Sequence, residues 1–243
     1  PVEITMDVDV PKCTFCGRPS LFPTKLSDGR QMCGHCKDHQ LTQRDEIKSM
    51  FKETVRYLKE GYGIVLPTNL HIRFQSADAI VRATGGCSDG RILGFYNSGS
   101  HQLWLEARGP RIAMQSTLIH ELTHAWQFHD PDFSRLLQQV LRKFPKKDRA
   151  RIRLLLLEGH AVYMEIESMR KMHEDAYADR IHASSMQRDD EYGIGYRMIR
   201  GYIADLGDLG SYMTPYKAMI QLLRDILERP LRYIIFSCVD NTR

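Results

Sequence analysis

Apolar residues recur at intervals of three and four along much of the chain, which is the spacing of amphipathic helices. Residues 44–61 form the first such stretch, and Gly61 and Gly63 predict its end. Further helices are predicted over residues 112–128, 133–144, 148–171 and 215–227. Residues 173–210 are polar and contain several glycines and aspartates, so we expect mostly loop with a short helix there.

Strict alternation of apolar and polar residues marks a second kind of element. Residues 70–74 alternate throughout, as in a half-buried strand. Two more strands are predicted at residues 91–96 and 102–106, joined by an Asn-Ser-Gly turn. The strand at residues 102–106 is a candidate edge strand for pairing with an extended peptide substrate. A small sheet followed by helices predicts an α+β fold with a peptidase-like layout.

The composition is that of a protein with a buried core. The 243-residue chain is 42% hydrophobic and 26% charged, which excludes disorder as its main state. The formal net charge of +4 is too small by itself to indicate nucleic-acid binding. No apolar run approaches the roughly 18 residues of a membrane span. Residues 1–10 lack the features of a signal peptide, so we expect a cytoplasmic protein without membrane contact.

Four of the six cysteines form two pairs, with two residues inside each pair and sixteen between the pairs: Cys13, Cys16, Cys33 and Cys36. This spacing is typical of a four-thiolate zinc site, and the lack of a secretory signal favours zinc over disulfides. The segment between the pairs is turn-rich, so the metal would supply its folding energy. We therefore predict a small LIM-like or zinc-ribbon module with one structural zinc at residues 1–40, followed by a second domain at residues 41–243.

The stretch His120-Glu121-Leu122-Thr123-His124 lies inside a predicted helix and matches the pattern HExxH. Residues four apart share a helix face, so His120 and His124 can bind one catalytic zinc ion. Glu121 is suited to take a proton from a water on that metal, as the general base of a zinc hydrolase. The apolar flanks and the preceding sheet favour this interpretation over two ordinary histidines on a helix.

A catalytic zinc needs a third protein ligand, and Glu158 is the first candidate. It lies 34 residues after His124 on the most apolar predicted helix, where an unpaired carboxylate is costly. Its neighbour His160 is the main rival, and a structural salt bridge is the other alternative for Glu158. Gly159 indicates close packing against the HExxH helix. Glu165, seven residues further on, either supports the ligands or is a solvated carboxylate.

A zinc hydrolase also stabilises the oxyanion that forms when water attacks the peptide carbonyl. Tyr192 and Tyr196 are the predicted hydrogen-bond donors for this role. His182 and Tyr163 are alternatives. Each of the four side chains also fits a packing role.

Three stretches resemble the DA-one family of LIM-domain peptidases: HELTHAW at residues 120–126, EGHA at 158–161 and YGIGYR at 192–197. The resemblance covers roughly residues 13–201 and implies a gluzincin-type zinc peptidase with Glu158 as third ligand. A full LIM domain holds two zinc ions, whereas this module has four cysteines, so we expect a LIM-like module with one zinc. No acidic ubiquitin-interacting helix is found at the N-terminus. Ubiquitin activation is therefore not expected, and a bacterial-type relative is the better match.

These features predict a zinc peptidase, of the endopeptidase type, acting on intracellular proteins or peptides, with the cysteine module as a structural element or a site for a partner protein. One alternative is a DNA-associated metallopeptidase of the SprT-like type, although its ribbon follows the peptidase and its third ligand is usually a histidine. Another is a zinc-scaffold adaptor with a relict site, which the presence of Glu121 disfavours. Seven basic residues between positions 142 and 153 indicate a solvated rim, or a platform for an acidic partner.

Overall fold

The computed structural model describes residues 10–26, 29–84, 94–107, 109–208, 210 and 213–228. In these residues the chain has the predicted α+β class, with much helix and two small sheets. The strands are β1 (Thr24–Lys25), β2 (Gln31–Met32), β3 (His71–Gln75), β4 (Gly94–Asn97) and β5 (Gln102–Glu106). The helices are α1 (Gly34–Asp38), α2 (Arg44–Tyr62), α3 (Ala77–Thr84), α4 (Arg111–His129), α5 (Pro131–Arg142), α6 (Arg149–Lys171), α7 (Asp175–Gln187), α8 (Glu191–Asp205) and α9 (Pro215–Glu228).

The helices predicted from apolar spacing are confirmed, and their ends differ from the prediction by no more than two residues. Gly63, with a φ of 69°, ends α2 in the left-handed conformation that glycine adopts without strain. Asp130 separates α4 from α5. Its backbone N–H donates to the carbonyl of Trp126, and its carboxylate accepts from the N–H of Phe133 at 2.7 Å. One residue thus caps two helices.

The prediction of a mostly irregular segment at residues 173–210 is wrong, because α7 and α8 occupy it. Asp190 begins α8 by accepting a hydrogen bond from the backbone N–H of Gly193 at 3.1 Å. Gly193 and Gly195 lower the helix propensity of this segment, yet both are buried where backbone from elsewhere comes close. These glycines allow close packing of a helix instead of marking a loop.

Strand β5 is the centre of the three-stranded sheet. It pairs in parallel with β3 and antiparallel with β4. The prediction that residues 102–106 form an edge strand is therefore wrong, because both sides of β5 are occupied. Within the described residues the edges are β3 and β4. The predicted strand at 91–96 is present from Gly94 onward, and residues 91–93 lie outside the described residues.

Helix α4 runs through the main hydrophobic core. Leu118, Ile119 and Leu122 are fully buried, and the helix packs against α2, α6 and the sheet. The polar residues of the HExxH motif therefore lie on a helix with few solvent-exposed positions. In the part of the chain that the structure describes, no helix combines the length and the apolar character that crossing a bilayer requires.

Helices α6 and α8 cross at two glycines. A Cβ at Gly159 would lie 2.2 Å from the carbonyl carbon of Gly195, and a Cβ at Gly195 would lie 2.1 Å from the carbonyl oxygen of Leu155. The prediction that Gly159 packs closely on the HExxH helix is wrong, since its close neighbour is α8. Because α8 also carries Tyr192 and α6 carries Glu158, the crossing sets how near these two residues lie.

We expect Gly195→Ala to lower the free energy of unfolding by about 1–3 kcal/mol, the usual cost of overpacking, because the new methyl group meets backbone that cannot turn aside. Gly61→Ala is the matched control: Gly61 lies in α2 with nothing within 4 Å of an added Cβ. That variant should be stabilised by about 1 kcal/mol through helix propensity. Urea unfolding of both variants measures the difference. Equal stabilisation of the two would show that α6 and α8 do not approach this closely.

Candidate metal centres

Helices α4 and α6 bring three of the predicted ligands together. His120 and His124 lie one turn apart on α4, and Glu158 reaches them from α6. The Nε2 atom of each histidine lies 3.3 Å from Oε2 of Glu158, and all three side chains are between 11% and 15% exposed. Their ligand atoms lie within 4.8 Å of one another, so this group could hold a metal ion.

Each histidine is oriented through its other ring nitrogen. Nδ1 of His124 lies 2.8 Å from Oε1 of Gln127, so the nitrogen donates to the amide oxygen. Nδ1 of His120 lies 3.5 Å from Oε2 of Glu165, so of the two roles that the sequence left open for this carboxylate the geometry favours support of a histidine over a solvated position. Both Nε2 atoms are left facing Glu158. This arrangement is typical of histidines that bind metals.

The spacing and charge of the three groups fit a small metal ion. A tetrahedral ion with bonds of about 2.0–2.1 Å holds its ligand atoms about 3.3–3.4 Å apart, and both nitrogen–oxygen distances are 3.3 Å. Burial opposes the charge on Glu158, but His124 and His120 outweigh it and hold the pKa of the carboxyl well below its usual range. The carboxylate therefore stays ionised at neutral pH, as a metal ligand must, whereas the two imidazoles bind a metal only in their neutral form.

Glu121 lies beside the three ligands but is not one of the converging groups. It is 7% exposed, and the nearby backbone of Tyr96 in β4 favours its charged form by lowering its pKa. The strand comes this close because position 94 is glycine, where a Cβ would lie 3.0 Å from Cγ of Glu121. Burial raises the pKa of Glu121, and the charges of His120 and His124 oppose this only in part. A buried carboxylate with a raised pKa suits proton transfer.

His160, the alternative third ligand, does not join this group. It is fully buried, its Nδ1 lies 3.1 Å from Nε2 of Gln127, and burial lowers its pKa to about 3. Gln127 also donates to the carbonyl of Leu157 at 3.0 Å, which turns its amide oxygen towards His124. Sequence reasoning missed Gln127. The available signal was its position three residues after His124, on the same helix face.

The two predicted oxyanion donors have different surroundings. The ring of Tyr192 is stacked on His120, with centroids 6.1 Å apart, and its hydroxyl interacts with Glu158. Tyr196 is 1% exposed, and burial raises its pKa to about 12. The two alternative donors both contact Tyr196: His182, whose Nδ1 lies 2.7 Å from the hydroxyl, and Tyr163. The structure thus brings Tyr192 to the ligands and places Tyr196 in a separate buried cluster.

The four cysteines of the N-terminal module also converge. They are free thiols, and the Sγ atoms of Cys16 and Cys33 lie 3.6 Å apart, too far for a disulfide. Sulfur ligands of a tetrahedral ion with bonds of about 2.3 Å lie about 3.7 Å apart. Burial, together with the neighbouring cysteines, raises the pKa of Cys36, and burial raises that of Cys16. A cation among the sulfurs would favour the ionised form of these two thiols, and the spacing of the cluster also fits a metal ion.

Four of the seven basic residues between positions 142 and 153 have intramolecular partners. Lys143 and Arg149 donate to backbone carbonyls. Arg151 forms an ion pair with a carboxylate of α8, and Arg153 lies over an aromatic ring of α4. These contacts favour a structural rim over a platform for an acidic partner.

The two candidate centres therefore differ in kind. One has three converging candidate ligands, a separate buried carboxylate and a stacked tyrosine, whereas the other is a closed set of four thiols.

Comparisons of the chain with protein-family models, curated proteins and solved structures found no match.

We expect the purified protein to bind two zinc ions, and a mild chelator to remove the ion of the histidine site first. A closed cage of four thiolates exchanges its metal more slowly than a site with three protein ligands. Zinc can be counted by atomic emission during stepwise chelation. A single zinc per chain after full metal repletion would contradict the assignment of two centres.

Proposed function

We propose that the protein is a zinc-dependent peptidase of the gluzincin type. The observation that carries this proposal is the convergence of His120, His124 and Glu158 beside a second, buried carboxylate, that of Glu121. Two histidines and a glutamate are a ligand set of catalytic zinc sites, which keep one position open. A metal site with only a structural role does not need the second carboxylate, that of Glu121.

Glu121 is the proposed general base. Zinc, when bound, supplies a Lewis acid that polarises the peptide carbonyl and lowers the pKa of a water molecule. Glu121 accepts the proton of the attacking water and passes it to the leaving amine. Burial raises the pKa of Glu121 towards the working pH, where a carboxylate transfers protons more effectively.

Strand β4 and Tyr192 suggest how a substrate binds. Within the described sheet β4 is an edge strand, and it passes close to Glu121 at Gly94. A peptide chain added to that edge would pass the ligand group in an extended conformation. Tyr192, which is 37% exposed and stacked on His120, is the donor that we assign to the carbonyl oxygen. The substrate is therefore proposed to be an extended segment of a protein or peptide.

The N-terminal module is proposed to bind the second zinc through Cys13, Cys16, Cys33 and Cys36. Its place before the HExxH domain supports the proposal of a bacterial-type relative of the LIM-like peptidases. A partner protein is proposed to bind through this module, whereas nucleic acid and membranes are not proposed as partners. The cytoplasm remains the proposed location.

Metal removal and repletion test the proposed activity. Purified protein should cleave unfolded casein, lose the activity when 1,10-phenanthroline removes the more exposed metal, and regain it with one equivalent of zinc. Inhibitors of serine and cysteine peptidases should leave the rate unchanged. Cleavage that persists after the histidine site has lost its metal would overturn the proposal.

A further inference from the structure

Arg180 of α7 contacts the first turn of the cysteine module, residues 13–17, which we call the knuckle. Nη2 of Arg180 donates to the carbonyl of Phe15 at 2.6 Å. Gly17, with a φ of 73°, lies against the same side chain, and a Cβ there would be 2.4 Å from Cδ of Arg180. Phe15 is 4% exposed and lies between Cys13 and Cys16, two of the four clustered thiols. Arg180 therefore contacts the backbone that positions the thiols.

The same arginine continues inward to Tyr177, one turn earlier on α7. Its guanidinium carbon lies 4.7 Å from the centroid of the Tyr177 ring, within the range of a cation–π contact. Tyr177 is 6% exposed. Burial and then the carboxylate of Glu165 raise its pKa to about 12, while Arg180 and Ser116 lower it. The phenol is thus neutral and adjoins both Ser116 and Glu165.

Ser116 and Glu165 complete the path to the histidine site. Ser116 is fully buried on α4 and donates its hydroxyl to Oε1 of Glu165. The other oxygen of Glu165 lies 3.5 Å from Nδ1 of His120. A contiguous series of contacts therefore runs from the knuckle through α7 and α6 to His120. Such a series of contacts couples the two sites only if a change in the knuckle alters the position of His120, and the experiments below measure that directly.

We propose that Arg180 is a positioning residue that couples the knuckle to His120, so that the metal-bound fold of the cysteine module sets the orientation of a ligand in the histidine site. This inference rests on the proposed function of that site and adds a means of regulating it. Loss of metal from the four thiols would release the Phe15 carbonyl and Gly17. Arg180 and Tyr177 would then lose their fixed positions, and Glu165 would no longer hold His120 in one orientation. The module would act as a zinc-dependent switch for the peptidase.

The first test replaces the arginine without touching any ligand. Arg180→Met removes the hydrogen bond and the cation but keeps much of the apolar stem, whereas Arg180→Lys keeps a charged donor. Arg135→Met is the matched control, because Arg135 is exposed and pairs only with Asp132 in the described structure. We expect Arg180→Met to lower kcat about tenfold with KM nearly unchanged, within the range for residues along such series. Arg180→Lys should recover most of the rate, and the control should match wild type.

A spectroscopic readout separates positioning from general structural damage. With zinc retained in the four-thiol site, cobalt is loaded into the emptied histidine site, and its visible absorption reports ligand orientation. We expect a shifted spectrum and weaker cobalt binding in Arg180→Met but not in Arg135→Met. This readout does not need peptidase activity. If wild type cleaves nothing, the proposed function fails, and the cobalt spectrum still decides whether the two sites are coupled.

A double-mutant cycle supplies the decisive comparison. Cys16→Ser loosens the knuckle directly, so its effect on cobalt binding in the histidine site should not add to that of Arg180→Met. The double variant should bind cobalt in the histidine site no more weakly than the single variant with the lower cobalt affinity. The proposal would be overturned if the two substitutions lowered the cobalt affinity independently, so that their fold-changes multiplied in the double variant. An unchanged cobalt spectrum in Arg180→Met would overturn it as well. Should Cys16→Ser fail to fold, the cobalt spectra of Arg180→Met and Arg180→Lys alone support the coupling or overturn it.

Discussion

A Glu121→Gln variant will bind as much zinc as wild type and will hydrolyse peptide bonds about 10²–10⁴-fold more slowly, the range for loss of general-base assistance. The amide has nearly the shape of the carboxylate, so it can occupy the same buried position beside β4. It has no lone pair that accepts a proton at neutral pH. Because the amide also lacks the charge that orients the water, the loss should approach the upper end of the range.

The measurement is the turnover of one defined protein substrate, with bound zinc quantified in each preparation. Glu60→Gln is the matched control, since Glu60 is an exposed carboxylate on α2 with no part in the site. Its rate should equal that of wild type. Comparable rates for Glu121→Gln and wild type at equal zinc content would show that Glu121 is not the base.

Glu158→Gln will lose zinc and activity together, whereas His160→Ala will keep the metal. A neutral amide is a much weaker ligand than a carboxylate. Loss of a residue that only hydrogen-bonds a ligand lowers metal affinity about 10–100-fold, so loss of the ligand itself should lower the zinc affinity further. His160 contacts only Gln127 among the residues that orient the ligands. Its removal should therefore cost stability and a modest part of the metal affinity, because Gln127 loses one of its partners.

Isothermal titration with zinc, started from variants whose histidine site has been emptied, separates these outcomes. The four-thiol site is kept loaded, so that only the histidine site titrates. Zinc lost from His160→Ala and kept by Glu158→Gln would assign the third ligand to His160 and exclude the present geometry.

Most of the converging groups were predictable because their spacing along the chain is local or periodic. His120 and His124 share a helix face by spacing alone, and Glu158 was conspicuous as a carboxylate on an apolar helix. The spacing of the four cysteines likewise indicates that they converge. The spacing of the histidines and of the cysteines does not depend on how distant helices pack. Glu158 joins the histidines only because α6 packs on α4.

The parts that escaped prediction depend on tertiary packing. Gly193 and Gly195 suggest a loop when they are considered alone, but they are the residues that let α8 approach its neighbours. Strand β5 is central because it pairs with β3, from which α3 and β4 separate it along the chain. No local sequence pattern predicts such a pairing. Gln127 is an ordinary polar residue in sequence, and its role follows only from the positions of His124 and His160.

The measurement that tests the central claim most directly is a comparison of newly formed protein N-termini. A cell extract is incubated with the zinc-loaded protein, and a second portion with zinc-loaded Glu121→Gln, and the termini are identified by mass spectrometry. We predict a defined set of new termini that wild type produces and the variant does not. The same new termini from both proteins, or none from either, would contradict the assignment of this site as a zinc peptidase.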